Sequence, residues 1–464
     1  VRLKRRSPSD RPERVPLLTS FAVPNYRLYF FGQALSQAGT WMQTVGQSWL
    51  VLKLTGSGTD LGLVVAAQFL PVLLFGPLGG ALVDRLDKRR VLFVTQGSAG
   101  VFALLLGILV ATGDVRLWMV FVLAAGLGGV NIADSPARQS FVTEMVGPAM
   151  MSNAVALNTT LINAARVIGP SLAAACIAYL GISWCFLVNG VSFMAVLVAL
   201  VAMDPSKFHR LERSTVRKRA ARDGLRYVRD EIPLRTTLIM LALIGLLASE
   251  FPVSLPLLAR RTFHGGSSLY ALFTAAMGVG AVLGGLFVAG RSPGTPRMLA
   301  RWCGVYGVAM AGAAMAPSLP LEVVSLAAVG ASSIVFTSRA NSTLQLNSRP
   351  VMRGRVMSLW AVALLGTTPI GAPIVGGVAD LLGPRYGLLI GAAGCLTAAV
   401  FGSLVYAGHP SASVAVPGRP EPRVTDPDDD LPPLATVVGD VDRPFSPTVT
   451  VRQRPLHPTD IPGR

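Results

Sequence analysis

Charge is scarce in this 464-residue chain: 14% of its residues are Asp, Glu, Lys or Arg, against about a quarter in soluble domains. A soluble fold of this size is excluded, because its surface would need far more charge to cover the core. Cysteine is limited to Cys176, Cys185, Cys303 and Cys395, all in apolar segments and without CxxC spacing. That pattern excludes a disulfide framework or a zinc site and leaves small apolar packing as their role. There is no GxxxxGK[ST], no HExxH and no GxSxG, and the four histidines, His209, His264, His409 and His457, fall outside the hydrophobic segments. ATP hydrolysis, intramembrane metalloproteolysis and serine-hydrolase chemistry therefore have no motif to stand on. The chain is not expected to be an enzyme, and neither cofactor nor metal is expected.

What is present is hydrophobic bulk: 52% apolar residues, 48 Gly and a mean hydropathy of +0.54. Taking about 20 residues per crossing, twelve spans emerge at 28–53, 60–83, 91–112, 117–135, 153–179, 182–203, 234–259, 269–290, 298–316, 320–338, 355–381 and 385–407. The first follows a polar, basic stretch and has no small-residue cleavage site, so it is expected to stay as a helix. An N-terminus placed inside puts 35 of the 41 Lys and Arg in cytoplasmic segments. Outside loops then hold only Lys53, Arg116, Arg260, Arg261 and Arg385. This asymmetry fixes an even helix count and cytoplasmic termini. The net charge of +17 is topological, and no nucleic-acid partner is expected.

The implied organisation is a basic cytoplasmic segment (1–27), a six-helix bundle (28–203), a basic cytoplasmic linker (204–233), a second six-helix bundle (234–407) and a tail (408–464). The linker region carries ten basic residues from Lys207 to Arg235, and 222–230 reads as an amphipathic surface helix. The tail holds 12 of the 33 prolines and the run Asp428, Asp429, Asp430. It is expected to be disordered and cytoplasmic. A shift of 202 residues superposes Pro148 on Pro350, Met150 on Met352, Leu157 on Leu359, Gly169 on Gly371 and Gly181 on Gly383, and earlier Gly128 on Gly330. Helices four to six thus recur as ten to twelve. Parallel six-helix repeats joined by a basic loop are the architecture of a secondary transporter.

At the end of the second span stands GGALVDRLDKRR, residues 79–90. Its Gly80, Asp84, Arg85, Lys88, Arg89 and Arg90 resemble the signature of the major facilitator superfamily, with Asp87 in place of the usual second glycine. The resemblance implies a conformational gate in which Asp84 meets the positive N-terminal end of helix eleven, near Gly354–Ser358, when the cytoplasmic side is shut. The second half has no acidic counterpart in GGLFVAGR, 284–291. PARQSF (136–141), NAAR with the GP of helix five (163–170), GLRYVR (224–229) and RGRVMS (353–358) are similar to the subgroup holding the enterobactin exporter and macrolide-type efflux proteins. The resemblance implies an all-α fold of two pseudo-symmetric bundles and export of a drug, antibiotic or siderophore.

Helix one carries Gln33, Gln37, Thr40, Thr44 and Gln47 at spacings of 4, 3, 4 and 3, so one face is polar through the membrane. Such a stripe faces either a wet cavity or another helix. The transport cavity is expected to draw on Gln33, Gln37, Trp41, Thr44, Gln47, Asn163 and Trp360, with Trp41 and Trp360 able to stack on an aromatic substrate. Arg166, mid-span in helix five, must point inward and find a partner. Glu250, between Ser249 and Pro252, is the acid well inside a span. It reads as a proton carrier, a structural group or a recognition site for a substrate cation. Gly169 and Pro170, and Gly371 and Pro373 in the repeat, read as packing and bending devices. The GP pair resembles the superfamily's antiporter signature, although Ala165, Ala173 and Ala174 stand where glycines are usual and helix four lacks a mid-membrane Arg.

These features lead to a multi-pass protein of a bacterial inner (plasma) membrane. It is expected to work as a monomer, exporting a small hydrophobic molecule by proton-coupled alternating access. A solute importer or uniporter on the same scaffold, and a non-transporting sensor acting through its tail, are the alternatives.

Overall fold

The computed structural model describes residues 19–83, 85–209, 220–289, 291, 295–349 and 352–408. Asp84 and the 409–464 tail, to which a gating role and disorder were assigned above, lie outside the described residues. The first half comprises α1 (Pro24–Thr55), α2 (Gly58–Val83), α3 (Lys88–Thr112), the long α4 (Leu117–Tyr179) and α5 (Ser183–Ala202). A short α6 (Ala220–Asp230) follows. The second half comprises α7 (Ile232–Leu247), α8 (Phe251–Leu257), α9 (Ser267–Ala289), α10 (Pro296–Met315), α11 (Leu319–Leu346), α12 (Arg353–Leu365), α13 (Thr368–Leu381) and α14 (Pro384–Gly408). No strand occurs among the described residues.

Ten helical stretches are long and apolar enough to cross a bilayer. Helices α1 and α10, of 32 and 20 residues, complete the twelve, since 20 residues at a rise of about 1.5 Å span about 30 Å. The protein is all-α and membrane-spanning, with six crossings in each half. Large apolar side chains such as Val198, Leu286 and Leu404 stay exposed along the helices, as lipid-facing positions must.

Local chemistry sets the helix ends. Pro24 opens α1 and Gly56 closes it in the left-handed region at φ 69°, its amide donating to Leu52 O. Asp87 is the N-cap of α3 and accepts from the Arg90 amide. The residue that departs from the superfamily signature therefore has a local task, and the turn does not need glycine there. The repeat is physical as well as textual. Gly181 and Gly383 both lie at positive φ, 97° and 112°. Gly128 packs on the Gln68 carbonyl of α2, and Gly330 packs on the Met277 carbonyl of α9.

Three span boundaries need correction. The fourth span does not stop at 135 but runs to Gly147, where φ 70° and ψ 172° turn the chain into the fifth. The tenth likewise runs past 338 to Leu346. In the fourth, Asp134 and Arg138 are bonded to side chains of neighbouring helices, and in the tenth Ser342 and Thr343 bond back to carbonyls of their own helix, so the helix continues. The seventh span, expected to be continuous, is broken between α7 and α8 at Ala248–Glu250. Tyr306 Oη donates to the freed Ala248 carbonyl at 2.9 Å.

Candidate transport cavity

The face where the described chain enters α1 and leaves α14 is called here the terminal face, and its opposite the distal face. At the distal face the halves are joined through helix ends. Asp380, in the last turn of α13, accepts from the Gly58 and Thr59 amides at the start of α2, both at 2.8 Å, and from Thr59 Oγ1 at 2.8 Å. A π turn, Leu258–Thr262, presents Arg260 and Arg261 together. Arg260 donates to Leu52 O, and Arg261 donates to Gly56 O at 2.5 Å and pairs with Asp380 at 2.9 Å. The acid thus sits at a helix N-terminus and the cations at a helix C-terminus, the arrangement the helix dipole favours. Below them Gly58 and Gly62 of α2 lie against the Gly376 and Ala372 backbone of α13. Helix α2 runs along α13 but hardly touches α12, so the halves part towards the terminal face.

In that gap lies a cavity of about 810 Å³, within the range of small-molecule sites. Gln37, Trp41, Thr44, Gln47 and Trp360 are on its wall, with Gln68, Phe69 and Pro252. Gln33 and Asn163 are not. Gln33 is 3% exposed and accepts from Arg138 Nη1 at 3.2 Å. The polar stripe of α1 therefore serves both purposes left open by the sequence. Gln47 meets Gln68 at 3.3 Å, and Gln43 accepts from Asn189 Nδ2 at 2.7 Å.

Arg166 is not ion-paired with Glu250. Its guanidinium carbon stands 5.2 Å from the centroid of the Trp41 ring, a cation–π geometry, and its buried Nε has no hydrogen-bond partner. Glu250 precedes α8 at the helix break, 2% exposed and beside Thr368. Its Oε1 has no partner and faces the backbone of Gly371. Gly371 also packs on the Leu246 carbonyl, and Gly169 on Trp41 and Ala38 of α1, while Pro373 lies inside α13. Of the residues assigned to a gate, Arg89 donates to the Leu200 and Val201 carbonyls at the end of α5, Arg85 is exposed, and Gly80 meets nothing within 4 Å.

Sequence reasoning missed Asp134 and Arg138. They form a 2.7 Å ion pair on the extended part of α4. Asp134 also accepts from Thr95 Oγ1 and Gln96 Nε2, at 2.8 and 2.7 Å. Their i, i+4 spacing was a usable signal, hidden because the span was ended at 135.

A twelve-helix protein with two repeated halves around a polar cavity is a membrane transporter of the major facilitator fold. The chain belongs to the MFS_3 family, the transmembrane secretion effectors, whose model matches residues 17–425. It is 24% identical to the staphyloferrin A transporter of Staphylococcus aureus over 76% of this chain and 90% of that one. It is 28% identical to the multidrug efflux pump Tap of Mycolicibacterium fortuitum over 77% and 89%, and 24% identical to the enterobactin exporter EntS of Shigella boydii over 79% and 90%. Among solved structures, an inward-facing, unoccupied bacterial homologue of the human lysosomal transporter Spinster aligns with a TM-score of 0.65 at 13% identity, covering 87% of this chain and 99% of that one. These relatives are transporters and not enzymes.

Proposed function

We propose that the chain exports a small hydrophobic molecule, of the drug, antibiotic or siderophore kind its relatives are named for, from a bacterial cell across the inner membrane. The observation that carries this reading is the cavity between halves that, among the described residues, are tied by polar bonds at the distal face. With basic segments inside, the terminal face is cytoplasmic and the cavity stands open to cargo from the cell. Alternation follows from pseudo-symmetry. At the distal face an acid at the end of span eleven holds the start of span two, and Asp84, at the end of span two, would hold the start of span eleven when the other face closes. Glu250 is the proton carrier, because it is buried at a helix break, has one oxygen free and lies two residues from Pro252 of the wall. Arg166, held on Trp41, keeps a positive charge beside the wall. One polypeptide contains the whole pathway, so a monomer suffices.

The test uses inverted membrane vesicles energised by respiration and three dyes: uncharged Nile red, cationic ethidium and anionic carboxyfluorescein. Uptake of at least one, abolished by a protonophore, is the expected result. Uptake of none, or uptake indifferent to the proton gradient, defeats the reading.

A further inference from the structure

Among the described residues the cavity wall holds two formal charges, and they cancel. Asp134 and Arg138 are paired at 2.7 Å, the carboxylate is further bonded to Thr95 and Gln96, and the guanidinium to Gln33. The other polar side chains of the wall are amides, hydroxyls and indoles, nine of them Asn or Gln. Three polar atoms of wall residues have no partner among the described protein atoms: Gln96 Oε1, Trp360 Nε1 and Tyr29 Oη. All three are enclosed by protein, so the groups the wall presents to cargo are its other amides and hydroxyls. Other charged groups of the interior, Arg166 over Trp41, Glu250 against Gly371 and the buried Glu322, are not among the wall residues.

A cation entering this space exchanges its hydration for neutral dipoles without meeting an unpaired counter-charge on the wall, and an anion meets Arg166 only across the Trp41 ring, so either is costly. An uncharged molecule bearing several carbonyls and hydroxyls exchanges its bonds to water one for one with amides that both donate and accept. Trp41, Phe69, Phe193 and Trp360 supply an apolar, aromatic surface beside them. We propose that the cargo class is an uncharged amphipathic molecule with a polyoxygenated edge and an apolar or aromatic face. The Asp134–Arg138 pair sets this selectivity by holding the wall at zero net charge. The proposal rests on the transporter reading above and narrows it.

The experiment uses the full chain in lipid nanodiscs and follows tryptophan quenching. The probes are three 4-nitrophenyl trisaccharides that differ in one terminal group: carboxamide, carboxylate or dimethylammonium. The carboxamide probe binds at least about tenfold more tightly than either charged one, the ordering expected when a charge is buried without a partner. Asp134→Asn, which leaves Arg138 uncompensated, moves the preference to the carboxylate probe. Arg138→Gln moves it to the ammonium probe. If neither variant folds, the ranking by the unaltered protein decides alone. A charged probe bound as well as the carboxamide, or folded variants that keep the original ranking, overturns the proposal and leaves transport standing. No quenching by any probe up to millimolar concentration overturns the proposal together with the binding role of the cavity.

Discussion

Asp380 and Thr59 meet across the boundary between the two halves, carboxylate to backbone amide at 2.8 Å. The same carboxylate accepts from Gly58 and pairs with Arg261, so one side chain closes the distal face from both directions. Asp380→Ala removes these bonds. The expected cost to the distal-closed state is about 1–3 kcal/mol, a shift of about five- to 150-fold in the conformational ratio. Nitroxide labels on Thr112→Cys and Ser318→Cys, exposed positions on the two halves, report it as a longer distance population. An unchanged distance distribution would contradict the role given to Asp380.

Gly62→Val drives a side chain into the Ala372 carbonyl of α13. The seam must move apart, and the same label pair is expected to show it. Gly280→Val, which meets the Ala327 backbone within the second half, instead lowers the thermal midpoint by overpacking worth about 1–3 kcal/mol. Gly80→Ala, with nothing within 4 Å, serves as the near-neutral control.

Tyr306→Phe deletes the hydroxyl that satisfies Ala248 O at the break in the seventh span. A loss of about 1 kcal/mol is expected, read as a lower unfolding midpoint in nanodiscs. Equal midpoints would mean the carbonyl finds another donor.

Glu250→Gln preserves the shape of the side chain but cannot carry a proton. Energised vesicles should lose proton-driven uptake while the purified variant still binds a cavity probe. Uptake at the original rate removes Glu250 from coupling.

Asp204, in the linker, is held below the usual carboxylate range by hydrogen bonds from the Ser206 hydroxyl and amide, with Lys207 a smaller cause. Because its folded value is the lower one, the stabilisation is present above the ordinary carboxylate value and disappears as pH falls through the lowered one. Amide exchange at Ser206 should therefore gain an extra acceleration in that acidic window, and Asp204→Asn should abolish it.

Hydropathy made twelve crossings legible, since lipid demands long apolar helices whatever they pack against. It failed where polar residues are satisfied by distant helices. Arg138 read as loop and Asp134 as the very end of a span because their partners Gln33, Thr95 and Gln96 come from other spans. The same holds for the site. The stripe on α1 followed from helical spacing, but that Gln33 turns to Arg138 and Gln43 to Asn189, 105 and 146 residues away, depends on tertiary packing. Asp380 left no trace, for its partner is a helix start and not a residue type. The break at Glu250 had a signal in Pro252 and Pro256, which follow it too closely for an unbroken helix.

The contact of Gly58 with the Gly376 carbonyl, and of Gly62 with Ala372, brings the backbones of α2 and α13 together, and Leu257 seats its side chain against Gly58 beside Leu61 and Val64. Parting the two slabs would therefore strip apolar side chains from their sockets as well as break polar bonds. Resistance at the distal rim is shared between a greasy seam and a few charged tethers, so retuning one tether lowers only part of it.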